Sequence, residues 1–559
     1  MFDKKKIEEL KKKEQDWFEK TKDVRGADKN VLSGSGIPLK RIYSPADVKD
    51  LDYEKDLNFP GNAPYTRGIY PTMYRGRDWT IRQFTGYNTP EETNERFKYE
   101  HEMGQTGFSI AFDAVTESGI DSTDPRAIDD IGTGGVHVDY LGDIEAMFNG
   151  LPIDKVSTAV IATPWTACPI SAMYFVLAQQ RGISLKTLDG TTQNDLLLFT
   201  CCCHLMDLIP PSDLIRLSVD HIEWCSQNVP KWHPVSIASY NYRENGINAY
   251  QEIGLMLAVA VAYIEEELKR DRLTIDDFAP SMTFHMSSHN DFFEEVAKFR
   301  AARRMWYKLI TERYKAKNPN SAVFKFHVQT AGSTLVYQQP LNNSVRVSYQ
   351  VLAAALGGVQ SMHATSYDEP ICLPTEQSVL LSIRTQQIAQ NDCKITNVAD
   401  PLGGSYYVEW LTDELEKLAW EYLQEIEAKG GLVKCIESGW VHQQFAKAMA
   451  EQANAVESGK EPVVGRNCFT MDKEPYDVPI FYPEPEDTAK IQKNKIAKLK
   501  KERSSIKVQS SLDELKKVTE AGDNVMPSVL EAVKSGATLG EVCGIWRDIY
   551  GIWKIPFSG

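Results

Sequence analysis

The chain has 559 residues, of which 42% are hydrophobic, so it can bury the core of one large domain with smaller additions. Its formal net charge is -15, and no basic cluster is interleaved with aromatic residues, which argues against a nucleic-acid partner. The charged N-terminus lacks the apolar run of a signal peptide, and no uninterrupted apolar stretch of about 20 residues occurs. We therefore expect a cytoplasmic protein that binds neither nucleic acid nor membrane.

The first 60 residues combine a lysine-rich amphipathic helix with a segment rich in glycine, proline and tyrosine, which predicts an N-terminal arm that docks a partner. Residues 61–415 alternate short β-rich runs with longer amphipathic segments. Eight such units are the count for a (β/α)8 TIM barrel, so the predicted fold class is α/β. The candidate strands read WTIRQFT, GFSIAFD, VSTAVIA, SLKTLDG, PVSIASYN, SMTFHMS, FKFHVQT and VQSMHAT.

Helical patterns separate these strands. The first, TPEETNERFKYEHEMG, begins at an N-cap threonine, and INAYQEIGLMLAVAVAYIEEELKR is apolar along most of its length. Residues 416–500 predict a helical segment followed by a polar, lysine-rich linker, and residues 501–559 predict two or three short helices.

Polar side chains cluster at the ends of the predicted strands. A TIM barrel carries its active site at the C-terminal ends of its strands, and this set exceeds what packing requires, so we expect the functional site there. The residues are Arg82, Asp113, Asn241, His285, Gln329, Thr330 and His363.

Three adjacent thiols precede an imidazole in the segment TCCCH, from Thr200 to His204. Structural zinc sites use spacings such as CxxC, and on a helix only Cys201 and His204 of this segment share a face, so we predict no metal site. The ten cysteines are expected as thiols in a reducing compartment. His285 and His289 have helical spacing without a third ligand, so we interpret them as pocket or surface histidines.

Several ordered motifs resemble one family. From about residue 60 onward, the chain is similar to the large subunit of adenosylcobalamin-dependent acyl-CoA mutases, the methylmalonyl-CoA mutase family, and closest to its two-subunit isobutyryl-CoA and 2-hydroxyisobutyryl-CoA type. The resemblance implies a TIM barrel whose strands admit the pantetheine chain, and a radical carbon-skeleton rearrangement of an acyl-CoA. The motifs are RGIYPTMYRGRDWTIRQFTGYNTPEETNERF, FDAVTESGIDSTDPRA, DDIGTGGVHVD, TTQNDLL, FFEEVAKFRAARRMW, HVQTAG, DEPICLPTE and DPLGGSYYVE.

Full-length members of that family continue into a cobalamin-binding domain, where the histidine of a DxHxxG motif ligates cobalt. This sequence contains no DxHxxG. The resemblance therefore implies that a separate small subunit ligates the cobalt of adenosylcobalamin, in a heterotetramer or larger hetero-oligomer. The N-terminal arm and the C-terminal helices are the expected docking surfaces.

The resemblance also assigns roles to single residues, with no metal ligand among them. Arginine suits the phosphates of coenzyme A because its planar fork donates paired hydrogen bonds. The assigned residues are Phe84, Gln193 and Asn241 for catalysis; Tyr70, Thr72, Met73, Arg77, Thr80, Arg82, Ser109, Cys203, His204 and Thr283 for the substrate; and Glu244, Gln329, Gln360 and Glu369 for the cofactor.

Three departures from the family concern the acyl group. Phe84 stands where the methylmalonyl type has a tyrosine, and it resembles the isobutyryl type. The arginine that clamps the free carboxylate in the methylmalonyl type corresponds to Cys203 or to His204, depending on the direction of counting. Ala111 replaces the aspartate that contacts the substrate hydroxyl in the 2-hydroxyisobutyryl type, which disfavours that substrate.

Two further departures concern the thioester and coenzyme A. Asn241 replaces the histidine that bonds the thioester carbonyl, and Ser281 replaces an arginine that contacts coenzyme A.

We predict that the protein is an isomerase, the large subunit of an adenosylcobalamin-dependent mutase. Its expected substrate is an acyl-CoA whose acyl group has no free carboxylate, and bulky acyl groups are admitted. A catalytically silent or regulatory paralogue is the alternative, against which Gln329, Gln360 and Glu369 argue. An unrelated TIM-barrel lyase fits the fold but not the motifs.

Overall fold

The computed structural model describes residues 3–203, 205–473 and 477–556 of the chain. Its architecture is mixed α/β, and its strands are short. The strands are β1 Val31–Leu32, β2 Pro38–Leu39, β3 Thr80–Ile81, β4 Phe84–Thr85, β5 Phe108–Ile110, β6 Thr158–Val160, β7 Gly190–Thr192, β8 Trp232–His233, β9 Val235–Ala238, β10 Met282–Ser288, β11 Phe326–Thr330 and β12 Ser361–His363.

Helices outnumber strands and surround them. The helices are α1 Lys4–Lys20, α2 Pro90–Glu102, α3 Ala114–Glu117, α4 Leu141–Met147, α5 Ala167–Gln180, α6 Pro211–Asn228, α7 Ser239–Glu244, α8 Ala249–Lys269, α9 Ile275–Phe278, α10 Phe292–Lys308, α11 Asn342–Leu356, α12 Glu376–Asn391, α13 Tyr406–Ala428, α14 Leu432–Glu437, α15 Trp440–Glu457, α16 Pro485–Glu502, α17 Ser505–Ala521, α18 Met526–Ser535 and α19 Leu539–Tyr550.

The strands form two five-stranded parallel sheets and a small antiparallel pair of β1 with β2. One sheet has the order β3-β12-β11-β10-β9, and the other has the order β4-β5-β6-β7-β8. Parallel strands need helical crossovers, which agrees with the alternation seen in the sequence. The α/β class is therefore confirmed.

Most candidate strands lie where the sequence placed them. WTIRQFT contains two strands, β3 and β4, because Arg82 and Gln83 interrupt the pairing. The candidate SLKTLDG was wrong, since β7 begins only at its last residue, Gly190. A Cβ atom at Gly190 would lie 2.2 Å from the Trp232 ring, so a residue without a side chain is required where strand propensity disfavours one.

The helix α2 begins as the sequence predicts. The Thr89 hydroxyl accepts a hydrogen bond from the Glu92 amide at 3.3 Å, and the Glu92 carboxylate accepts one from the Thr89 amide at 3.1 Å. This reciprocal capping box satisfies two backbone donors that the first helical turn leaves free. The N-cap prediction is therefore confirmed.

A buried charge network fixes β10 between α8 and α10. The Lys298 ammonium lies 2.7 Å from a Glu252 carboxylate oxygen and 2.7 Å from the Ser287 carbonyl oxygen, and it also contacts Glu295. All three charged side chains are fully enclosed. Such a network holds one arrangement of strand and helices, because any other arrangement leaves a buried charge unpaired.

The N-terminal arm packs against its own chain. The Gly34 amide donates to Asp291 at 2.8 Å, and the Ser35 amide donates to Glu294 at 2.9 Å, at the start of α10. The lysine-rich segment expected as a linker forms α16, in which Lys495 lies 2.8 Å from Glu91. Across the described ranges, no helix combines the length and hydropathy that a membrane crossing needs.

Candidate active site

A cavity of about 560 Å³ runs along residues of both sheets. The structure brings together there most of the residues that the resemblance assigned to the substrate, with two of the three assigned to catalysis. These cavity residues are Tyr70, Thr72, Met73, Arg77, Thr80, Arg82, Phe84, Ser109, Gln193 and Thr283.

Cations line one end of this cavity. Arg77 precedes β3, and Arg82 lies between β3 and β4. Lys325 directly precedes β11, Asp189 directly precedes β7, and all four residues line the cavity. Burial lowers the pKa of Arg82 to about 10, and Asp189 opposes that shift, so Arg82 is charged at neutral pH. This end therefore suits an anionic group.

Four buried polar atoms of cavity-lining residues have no hydrogen-bond partner among the described residues. They are the Arg82 Nε, the Ser109 Oγ, the His285 Nε2 and the His327 Nε2. A Cβ atom at Gly107 would lie 2.7 Å from the Arg82 Nε, so glycine leaves room for the guanidinium. Buried polar atoms normally have hydrogen-bond partners, so we expect a ligand in the cavity to supply the missing partners.

Aromatic rings and imidazoles line the other end. The Phe84 ring centroid lies 5.4 Å from that of His285, 5.6 Å from that of His327 and 4.9 Å from that of His363. Desolvation lowers the pKa of His285 to about 3 and that of His363 to about 3. These imidazoles are therefore neutral at physiological pH, and no charged imidazole lies beside Phe84 among the residues that the structure describes.

The tautomer of His363 follows from its neighbour. The Phe84 amide donates a hydrogen bond to the His363 Nδ1 at 2.9 Å, so this nitrogen is an acceptor and the proton lies on Nε2. That bond also fixes the Phe84 backbone beside β12. Phe84 is thus held in place in the cavity wall beside the imidazoles.

Two carboxylates lie beyond the C-terminal ends of β9 and β12. The Ser333 amide donates a hydrogen bond to Glu244 at 2.6 Å. Glu369 lies in a cleft: solvent reaches its side chain, and protein atoms surround it on the other sides. Desolvation raises the pKa of each carboxylate to about 7. A Cβ atom at Gly332 would lie 3.3 Å from a Glu244 oxygen and 3.5 Å from the Glu369 Cγ, so glycine keeps this cleft open.

Asn241 and Gln329 lie near this cleft and do not line the cavity. Asn241 is on α7, directly after β9, and its neighbour Tyr240 stacks on His285 with ring centroids 5.3 Å apart. Gln329 is buried near the end of β11, paired with Ser287 and His363 across the sheet. Asn241 therefore lies beyond the C-terminal end of its strand, and Gln329 lies level with His363.

Gln360 lies apart from the other residues assigned to the cofactor. It precedes β12 and lines the cavity. Its amide oxygen accepts from the Phe326 amide at 3.0 Å, and its amide nitrogen donates to the Gly358 carbonyl at 2.8 Å. The structure thus groups Gln360 with the substrate residues and separates it from Glu244 and Glu369.

The three adjacent cysteines are half-buried and do not line the cavity. The His442 Nε2 donates to the Thr200 carbonyl at 3.0 Å, so its Nδ1 is free to accept from the Cys201 thiol at 3.8 Å. His204 lies outside the described residues. Within the described ranges, no group of three or more histidine, cysteine, aspartate or glutamate side chains is arranged to hold a metal ion.

Sequence reasoning missed part of the cavity wall. Asp189, His233, Lys325 and His327 line it without having been assigned a role. The alternation of side chains along a strand could have indicated some of these residues. Residues 325 and 327 lie on the same face of their strand, as do residues 283 and 285. Which of these faces meet depends on strand order, which the sequence does not state.

The parallel α/β scaffold thus carries one cavity wall with arginine and lysine side chains in one part and neutral aromatic and imidazole rings in another. Residues 32–552 match the family described as Methylmalonyl-CoA mutase. The chain therefore belongs to the methylmalonyl-CoA mutase family, as the sequence motifs indicated, and it is an acyl-CoA mutase, an isomerase.

Individual relatives agree with this assignment. The chain is 41% identical over 519 residues to the 2-hydroxyisobutanoyl-CoA mutase large subunit of Aquincola tertiaricarbonis, covering 93% of this chain and 92% of that one. It is 36% identical over 537 residues to the methylmalonyl-CoA mutase of Cereibacter sphaeroides, covering 95% and 74%. It is 34% identical over 527 residues to the methylmalonyl-CoA mutase of Escherichia coli K12, covering 94% and 72%. Nothing in these comparisons favours the silent paralogue.

Proposed function

We propose that the chain is the large, substrate-binding subunit of an adenosylcobalamin-dependent mutase that rearranges a carboxylate-free acyl-CoA, with bulky acyl groups admitted. The polarity of the cavity is the observation that carries this proposal. Its cationic end suits the phosphates of coenzyme A, and its neutral end at Phe84 and His285 suits an uncharged acyl group. Ser109 pairs with Phe84 across the sheet, and Gln193 also lines the cavity; in this proposal their side chains orient the pantetheine amides and the thioester.

The two sheets belong, in this proposal, to one eight-stranded TIM barrel. Only Arg82 and Gln83 separate β3 from β4, and only Pro234 separates β8 from β9. Each of these two interrupted strands contributes one half to each sheet, which supports a closed circuit of eight strands. The cavity then follows the barrel axis.

The cleft at the C-terminal ends of the strands fits the cofactor of the family. Carboxylates and amides bind hydroxyl and amide groups, which a ribose and the rim of a corrin present. In this proposal Glu244 and Glu369 supply them in the cleft, together with Gln329 near the end of β11. Gly332 leaves open the space that a side chain would fill. Bound adenosylcobalamin supplies the radical that starts the rearrangement, while this chain holds the thioester, excludes water and presents Asn241 beside the acyl end.

The cobalt ligand comes, in this proposal, from a separate small cobalamin-binding subunit. None of the ten histidines of the sequence lies two residues after an aspartate, as DxHxxG requires. The relative from Aquincola tertiaricarbonis is named a large subunit, which implies a smaller one beside it. We propose a heterotetramer or larger hetero-oligomer in which the exposed face of α1 and helices α17 to α19 dock that subunit.

A spectrum of the cofactor tests this division of labour. We expect the isolated chain to leave the absorption spectrum of adenosylcobalamin unchanged, because it lacks the ligating motif, and the cobalamin-binding subunit to shift it. The free cofactor in buffer is the control. A spectrum typical of histidine ligation with the isolated chain alone would contradict the proposal.

A further inference from the structure

Lys325 is a cation of the cavity wall to which neither the sequence nor the comparisons assign a role. It directly precedes β11, and it lines the cavity beside Arg77, Arg82 and Asp189. Its ammonium donates one hydrogen bond, to the Pro280 carbonyl oxygen at 3.1 Å. An ammonium has three donors, so two remain for a ligand.

The strand pairing places this ammonium beside Ser281. The Phe284 amide on β10 donates to the Lys325 carbonyl oxygen at 3.0 Å, which aligns the start of β11 with β10. Pro280, which accepts from the ammonium, immediately precedes Ser281. The next carbonyl, that of Ser281, accepts from the His233 Nδ1 at 2.9 Å.

Lys325 is charged, whereas the neighbouring His233 is not. Desolvation and the Lys325 charge lower the pKa of His233 to about 4, so that imidazole is neutral. Burial lowers the pKa of Lys325, and Asp189 opposes the shift. A partly desolvated ammonium with spare donors gains much from an anionic ligand, because the interaction is screened less than at an open surface.

We propose that Lys325 binds a phosphate group of coenzyme A at the cationic end of the cavity, supplying from β11 a charge that Ser281 on the neighbouring segment lacks. This assignment rests on the proposed function, because it takes coenzyme A as the ligand. Lysine serves as a point charge for phosphate where no planar fork is needed.

Calorimetric titration of the full chain tests the assignment without the cofactor. The Lys325→Gln variant is expected to bind coenzyme A about 10- to 100-fold more weakly, as loss of one charge-assisted hydrogen bond implies. Its affinity for pantetheine, which lacks the phosphates, should stay within about twofold of the unaltered chain. Lys269→Gln is the matched control, since Lys269 is an exposed lysine at the end of α8 outside the cavity wall, and it should change neither affinity.

A second variant moves the charge across the strand pair. Ser281→Arg in the Lys325→Gln background should restore most of the affinity for coenzyme A, since it returns a cation to the same corner. Equal losses for coenzyme A and pantetheine, or no loss for either, would overturn the assignment of Lys325. Failure of the unaltered chain to bind coenzyme A would instead overturn the proposed function, and this inference with it.

Discussion

Methylmalonyl-CoA is expected to be a poor substrate, with a kcat/KM about a hundredfold to several thousandfold below that of the best carboxylate-free acyl-CoA. Burying a carboxylate without a cationic partner costs about 3–5 kcal/mol, and each 1.4 kcal/mol corresponds to a factor of ten. The acyl end of the cavity presents Phe84 where the methylmalonyl type has a tyrosine, so it also lacks that hydroxyl.

The imidazoles of this end do not compensate for the missing arginine. The pKa of His285 and that of His363 are lowered to about 3, so both rings lose their charge as the pH rises past that value and stay neutral from pH 5 to pH 8. Arg77, Arg82 and Lys325 also line the cavity, and we propose that they bind the phosphates of coenzyme A, away from the acyl group. The expected discrimination is therefore the same across that pH range.

Turnover assays at pH 6 and pH 8 with methylmalonyl-CoA and isobutyryl-CoA check this result. They use the chain reconstituted with a cobalamin-binding subunit and adenosylcobalamin. Phe84→Tyr is the matched variant, and it should raise the ratio of methylmalonyl-CoA to isobutyryl-CoA turnover by less than about tenfold, since one neutral hydrogen bond is a small part of the cost. Comparable kcat/KM values for both substrates at pH 8 would refute the proposal that the natural substrate has no free carboxylate.

Asn241→Ala is expected to lower kcat by about ten- to a thousandfold, the range seen when one pre-organised hydrogen-bond donor is removed. We propose that the Asn241 amide holds the thioester carbonyl in place of the family's histidine. A neutral amide orients the carbonyl through one hydrogen bond but cannot supply a proton. Its neighbour Tyr240 stacks on His285, which places this segment beside the acyl end.

Steady-state assays of Asn241→Ala should show the loss mainly in kcat, with KM for the acyl-CoA little changed, because coenzyme A provides most of the binding. Asn391→Ala, at the exposed end of α12, is the control for replacing an asparagine outside the site. Unchanged turnover in Asn241→Ala, together with abolished turnover in Glu369→Ala, would show that another group holds the carbonyl. Gln193, which lines the cavity, would then be the next candidate.

Local patterns predicted much of the fold. The capping box of Thr89 and Glu92 predicted the start of α2, and β-rich runs predicted the strands, because both depend on neighbouring residues alone. Gly190 shows the limit of such patterns. This strand position requires glycine because the Trp232 ring, from a distant segment, fills the space that a side chain would occupy.

The site was predicted less completely, since its cavity depends on strand order. The motif from Tyr70 to Arg82 lies in one short segment, and the structure places it in the cavity wall as expected. The Lys325 ammonium reaches the Pro280 carbonyl, next to Ser281, only because β10 pairs with β11, and no local sequence pattern predicts that pairing. Cys203 had a position in the motif alignment, but the structure places its half-buried segment against His442 and outside the cavity wall.

Product formation in a reconstituted mixture tests the central claim most directly. The purified chain, a cobalamin-binding subunit, adenosylcobalamin and a carboxylate-free acyl-CoA such as isobutyryl-CoA are combined, and the carbon skeleton of the product is read by carbon-13 NMR. We predict an isomerised acyl-CoA only when both chains and the cofactor are present, with the coenzyme A thioester intact. Isomerisation without the second chain, or coenzyme A binding with no isomerised product from any member of a panel of carboxylate-free acyl-CoAs, would contradict it.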